Sequence, residues 1–143
     1  MADCLVYWKV FPQQYQELGR AAMTPNWNTA YEYFPDLVKD GDNLWVVIRR
    51  VDLWYLIQRI SIKDVFFDGV WRVEGDPCKS EVFDVRMRNQ PDFTPILRQL
   101  NFASGKKITK IGGMIGTQIQ RPRPLSDADV VLLSNYAKTL QKV

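Results

Sequence analysis

The side chains of this chain with most to offer a ligand are its tryptophans, and one of them sits in a polar setting, Trp27-Asn28-Thr29. An indole presents a flat face on which a planar ring can stack, and a neighbouring amide both donates and accepts hydrogen bonds. Two or three aromatic walls with a few polar groups can clasp a base turned out of its stack. Trp54 and Trp71 are the further candidates for such walls. Packing of a short helix onto a sheet explains Trp27 equally well. Trp45 lies in a wholly apolar run, which assigns it to the core.

The residues that usually carry catalysis are scarce. The chain has no histidine, so the commonest general base and the commonest transition-metal ligand are missing. Cys4 and Cys78 are too few to close a structural zinc site and have no imidazole to activate them. The acid pairs Asp40/Asp42 and Asp127/Asp129 fall in a turn and at a helix start, where each has a structural use. Gly112-Gly113-Met114-Ile115-Gly116 fits neither a phosphate-binding Walker loop nor a dinucleotide fingerprint; a bend or a close backbone approach is expected instead. The expectation is therefore no enzyme, no cofactor and no metal. A His-free nuclease or hydrolase would need acids such as Asp64, Asp68 and Asp84 to converge in one cleft.

Charge is distributed unevenly. Residues 1–48 hold three cations against six acids, whereas residues 86–123 hold eight cations against Asp92 alone. One basic face would suit an anionic polymer such as DNA or RNA. Lys9, Arg86, Arg88, Lys106, Lys107, Lys110, Arg121 and Arg123 are the candidate phosphate contacts. A solvated surface whose charges balance in three dimensions accounts for the same pattern.

The elements that must position these groups centre on residues 42–60, two apolar runs rich in β-branched and aromatic residues around Arg50-Val51-Asp52. They predict two adjacent strands joined by a short turn. The first run is apolar at consecutive positions, so both faces of that strand should be covered. Residues 4–11 predict a first strand, 13–20 a short helix, and Asn26 or Asn28 a cap for a short helix through Tyr33, on the spacing of Trp27, Ala30, Tyr31 and Phe34. Further strands are expected at 62–73 and 80–88, a small helix from Thr94 with proline at its first position, and a loop with a last strand over 108–120. Ser126-Asp127-Ala128-Asp129 reads as a capping box opening a C-terminal helix. With 46% apolar and 24% charged residues over 143 positions, one folded α+β domain, 1–143, is expected. Its centre would be a small mixed β-barrel-like sheet flanked by short helices and the C-terminal helix. No apolar run approaches the roughly 18 residues of a membrane span, so a cytoplasmic protein with free thiols is the expectation.

Tyr7-Trp8-Lys9-Val10, Trp27-Asn28-Thr29 and the Gly41-Asp42-Asn43-Leu44-Trp45 strand entry together resemble the EVE and YTH branch of the PUA-like superfamily, over about the first 60 residues. That resemblance implies a β-barrel flanked by helices that reads a modified base in DNA or RNA within an aromatic cage. It makes Trp27 a cage wall, Asn28 or Thr29 a polar contact, and places Lys9 near the pocket mouth. It also allows a nuclease or other effector as partner. A small-molecule or protein-interaction domain is the alternative.

Overall fold

A computed structural model describes residues 3–9, 25–84 and 90–142. The helix expected over 13–20 lies outside the described residues. Seven strands are described: β1 (Cys4–Tyr7), β2 (Asn26–Thr29), β3 (Asn43–Arg50), β4 (Leu53–Phe67), β5 (Trp71–Gly75), β6 (Glu81–Val82) and β7 (Arg123–Pro124). They form one sheet in the order β2-β5-β4-β3-β1-β7, with β6 alongside β4. Two α-helices, α1 (Thr94–Gln99) and α2 (Asp127–Ala137), and 3-10 helices at Phe34–Asp36 and Gly112–Gln118 complete it. The architecture is mixed α+β, and the sheet is open rather than the closed barrel the sequence suggested: β2 and β7 end the strand order unpaired with each other.

The expected strand pair forms around residues 51–52, with Leu44 opposite Ile60 and Arg49 opposite Trp54. Val51 turns the chain with φ 56°, a conformation that a β-branched residue adopts only under constraint. Leu44 through Ile48 are all fully buried or nearly so, as a strand covered on both faces requires. Trp45 and Val47 join one apolar cluster, with Leu5, Trp54, Phe93, Ile115 and Leu133. Leu44 and Val46 join the other, with Cys4, Val6, Phe34, Ile60 and Val73, against which Trp8, Trp27 and Trp71 pack. β4 is 15 residues long and serves three neighbours, β3 through its first half, β5 through its second and β6 at Gln58 and Arg59. Irregularities in register at Val46/Val47 and at Ile62/Asp64 interrupt the ladders with β3 and β5, and such bulges bend a sheet.

Three expectations are corrected. Asn26–Thr29 is an edge strand, not the start of a helix; it pairs antiparallel with β5, Trp27 opposite Val73. The ladder outweighs the helical spacing, because Pro35 leaves room only for the three-residue 3-10 helix after it. Residues 108–120 contain no strand; Gly112–Gln118 is a 3-10 helix, and the last strand is the two-residue β7 that follows. Of the strand expected over 80–88 only Glu81–Val82 is seen, and 85–89 lie outside the described residues.

The helix ends behave as their sequences dictate. Pro95 sits in the first turn of α1, and Asp92 Oδ1 accepts from the Thr94 N–H and hydroxyl and from Trp54 N–H. Ser126 and Asp129 form the reciprocal capping box of α2. Asp129 is 1% exposed and also accepts from the backbone N–H groups of Asn101 and Phe102, at 2.9 and 2.8 Å. It therefore fixes a distant loop as well as a helix. Asp129→Ala leaves these donors buried without acceptors and should lower the unfolding free energy by roughly 2–4 kcal/mol. Urea denaturation with an unchanged m-value checks this.

Candidate functional site

The sheet leaves a gap between the C-terminal end of β1 and the edge strand β2, and a cavity of about 400 Å³ opens there. Asn26, Trp27, Asn28 and Thr29 from β2 line one side, Tyr7, Trp8 and Lys9 the other, with Gln120 closing it. Four residues singled out in the sequence, Lys9, Trp27, Asn28 and Thr29, thus meet in one place. Each is there for a local reason. Trp27 is half-buried against Phe34, with ring centroids 5.5 Å apart, so the ring is held from behind. The Thr29 hydroxyl accepts from Tyr31 N–H and fixes the turn that leaves the strand. Asn28 is exposed, and its amide makes no hydrogen bond among the described residues. Trp8 is anchored by its backbone N–H to Val47 O.

A second cavity, of about 490 Å³, adjoins the first and shares Tyr7, Lys9 and Gln120 with it. Its remaining wall is Arg49 at the end of β3 with Gly113, Gly116 and Thr117 of the 3-10 helix. The glycines permit the close packing that the sequence suggested. A Cβ on Gly113 would lie 2.4 Å from an Arg49 guanidinium nitrogen, and one on Gly116 would lie 3.0 Å from the Tyr7 ring. Tyr7 in turn meets Trp54 edge-on at 4.9 Å. Together the two cavities form a groove whose described lining has two cations, four aromatic or amide-bearing residues from β1 and β2, and no carboxylate. A third cavity shares Asn26, Trp27 and Asn28 with the first but is completed by β4 and β5 residues that include both Arg72 and Glu74.

The remaining sequence candidates fall elsewhere. Trp54 is fully buried in the core and donates through Nε1 to Gly112 O at 2.9 Å, so it is not a cage wall. Trp71 is half-buried, stacks edge-on with Phe67 at 5.3 Å and lines neither part of the groove. Arg123 is not a free phosphate contact: its guanidinium lies 3.7 Å over the Phe102 ring and donates to Lys106 O and Ser104 Oγ. Burial lowers its pKa from the ordinary value, with Asp129 opposing. Arg121 lies 5.2 Å from the Tyr31 ring, close in sequence to the groove residue Gln120. Lys106, Lys107 and Lys110 are exposed and outside both cavities, and Arg86 and Arg88 lie outside the described residues. Sequence reasoning missed Tyr7, Arg49 and Gln120. Their part depends on which strand ends meet, and nothing local signals it.

Asp64 and Asp68 are exposed on the outer half of β4 and beyond it, Asp68 paired with Arg72 at 3.3 Å, whereas Asp84 is buried. Among the described residues no three of the His, Cys, Asp and Glu side chains group closely enough to hold a metal. No helix among them is long and apolar enough to cross a membrane. The chain matches no family model, no curated protein and no solved structure.

The two thiols are opposites. Cys78 is exposed in a turn, while Cys4 is buried in β1 and its pKa is pushed up to about 12 by burial, with Asp3 and Asp42 adding to the effect. At pH 8 a disulfide reagent should therefore count one fast thiol in the native protein and two in guanidinium. Burial likewise pushes the Tyr136 hydroxyl up to about 12, aided by Asp92. Both groups hold their protons more tightly folded than unfolded. Stability should then be full below about pH 9 and decline as pH climbs toward about 12, which denaturant midpoints across that range will show.

Proposed function

We propose that this protein is a non-catalytic nucleic-acid-binding module that receives a single base, modified or flipped, in the cavity between β1 and β2. The observation that carries the reading is the convergence of Trp27, Asn28, Thr29 and Lys9 with Tyr7 and Trp8 on one cavity that has no carboxylate among its described lining residues. A buttressed indole supplies a stacking face, and base–aromatic stacking is worth about 1–3 kcal/mol per base. The unengaged Asn28 amide offers a donor and an acceptor for a base edge. The cavity volume falls within the range of about 300–1,000 Å³ of small-ligand sites. The same residues carry the resemblance to the EVE and YTH branch, so the proposal includes a PUA-like, modified-base-reading identity, with DNA or RNA as partner and a nuclease or other effector acting on what it reads.

A second reading has one observation in its favour. The cluster Lys106, Lys107 and Lys110 stands outside the groove, as a module for a small anionic aromatic molecule would allow.

Salt dependence and mutation separate the two. Single-stranded oligonucleotides carrying methylated or hydroxymethylated bases should bind with a log K against log salt slope of about −0.7 for one phosphate held by Lys9 and Arg49 together, and about −1.4 for two. Trp27→Ala should cost at least about tenfold in affinity by removing the stacking face. Lys106→Ala with Lys107→Ala should weaken all sequences uniformly if a longer strand tracks past the groove. Gel retardation and fluorescence anisotropy at two salt concentrations read all of this; no retarded oligonucleotide at low salt, with any modification, ends the reading.

A further inference from the structure

The second cavity holds an unusual pairing of charge and space. Arg49 is exposed at the end of β3, and neither its guanidinium nor the Lys9 ammonium makes an ion pair or hydrogen bond with any described residue. Most other arginines described here are engaged: Arg59 with Glu81, Asn43 and Lys79, Arg72 with Asp68, Arg98 with Lys110, Arg123 with Phe102 and Lys106. The carboxylate next to Arg49, Asp52, is turned to the helix instead: its Oδ1 accepts from Gly113 N–H at 3.2 Å. Gly113 packs directly beneath the guanidinium, where a Cβ would lie 2.4 Å from its Nη1. A bare backbone at position 113 thus sets where the guanidinium rests. The Tyr7 hydroxyl and the Gln120 amide, both unengaged among the described residues, face the same groove.

We propose that this cavity is a phosphate subsite. Arg49 and Lys9 hold the phosphate attached to the nucleoside whose base occupies the Trp27 cavity, with Tyr7 and Gln120 at the junction of the two. A planar guanidinium is suited to two parallel hydrogen bonds with phosphate oxygens, and Lys9 adds a point charge. Because the cavities share Lys9, Tyr7 and Gln120, one nucleotide spans both. The inference rests on the proposed function, since the base reading decides what the phosphate is attached to. Gly113 is then a positioning residue that acts through Arg49.

The test is calorimetric titration of the full chain with three sets of probes. These are nucleosides (including N6-methyladenosine and 5-methylcytidine), their 3′- and 5′-monophosphates, and sodium phosphate alone. The readout is the ratio of monophosphate to nucleoside affinity, expected to be at least about tenfold in the unaltered protein. Arg49→Ala should reduce that ratio to less than about threefold, Arg49→Lys should restore part of it, and Gly113→Ala should lower it by displacing the guanidinium. The Gly113 clash involves the far end of a flexible side chain, so the fold should persist, and Arg49→Ala decides the matter if it does not. A ratio near one, or one that Arg49→Ala leaves intact, overturns the subsite. Nucleoside binding that Trp27→Ala abolishes, without any gain from phosphate, leaves the base reading standing and removes this one. Arg49-dependent binding of sodium phosphate or monophosphates that ignores Trp27→Ala does the reverse. No binding of any probe removes both.

Discussion

The constraint on which this molecule depends is the burial of β3 on both faces. Leu44 to Ile48 offer no polar side chain to solvent, so the strand needs an apolar layer on each side. The layers come from different parts of the chain: α1, the 3-10 helix 112–118 and α2 contribute to one, the segment around Phe34 and Val38 and the second half of β4 to the other. A sheet with both faces occupied has to interact with ligands at its edges and strand ends. The groove lies at such a place, where β1 runs out and β2 begins the sheet.

Carboxylates are a second theme, because several buried or half-buried ones serve backbone donors. Asp3 accepts from Asn43 N–H and from the Trp45 indole, holding the entry of β3. Asp42 accepts from Lys39 N–H, Asp92 ties α1 to Trp54, and Asp129 ties α2 to the loop at residues 101–102. Each has a role in assembling strands and helices, and none lines the groove. Among the described residues, Lys9 and Arg49 are the charged groups that line it, with the Asp52 carboxylate behind Arg49 bound to the Gly113 N–H. A low-dielectric rim of tryptophan and tyrosine strengthens the attraction such cations exert on an anion.

The sequence revealed the parts whose cause is local. The strand pair around Val51, the proline-led start of α1 and the Ser126–Asp129 box follow from side-chain chemistry within a few residues, and all three are present. Trp27 with Asn28, Thr29 and Lys9 was legible as a candidate site because a ring beside an amide is unusual in a core. What was not legible depends on distant pairing. Trp27, Ala30, Tyr31 and Phe34 fit a helical stripe, yet the edge of β5 recruits residues 26–29 as a strand. Trp54 looked as available as Trp27, but its opposite number is Arg49 and its indole is covered by the 3-10 helix. The basic segment of the sequence fits either one basic face or a surface whose charges balance in three dimensions. In the structure Arg98 of α1 and Arg123 of β7 turn inward onto the loop between them and donate to its carbonyl oxygens, Lys110 O and Lys106 O.

That inward turn changes the meaning of the charge asymmetry. An arginine over Phe102 that also donates to Lys106 O organises the loop between α1 and the Gly112–Gln118 helix. Gln118 does the same from the other side, its Oε1 accepting from Thr109 and Lys110 N–H. The cations of residues 98–123 are therefore partly structural: they fix a loop that has few apolar residues of its own. That loop leads into the helix whose glycines bring Arg49 and Tyr7 together at the groove. Positive charge spread along the sequence thus contributes to the site indirectly, by seating the wall against which Lys9, just past β1, and Arg49 of β3 are presented.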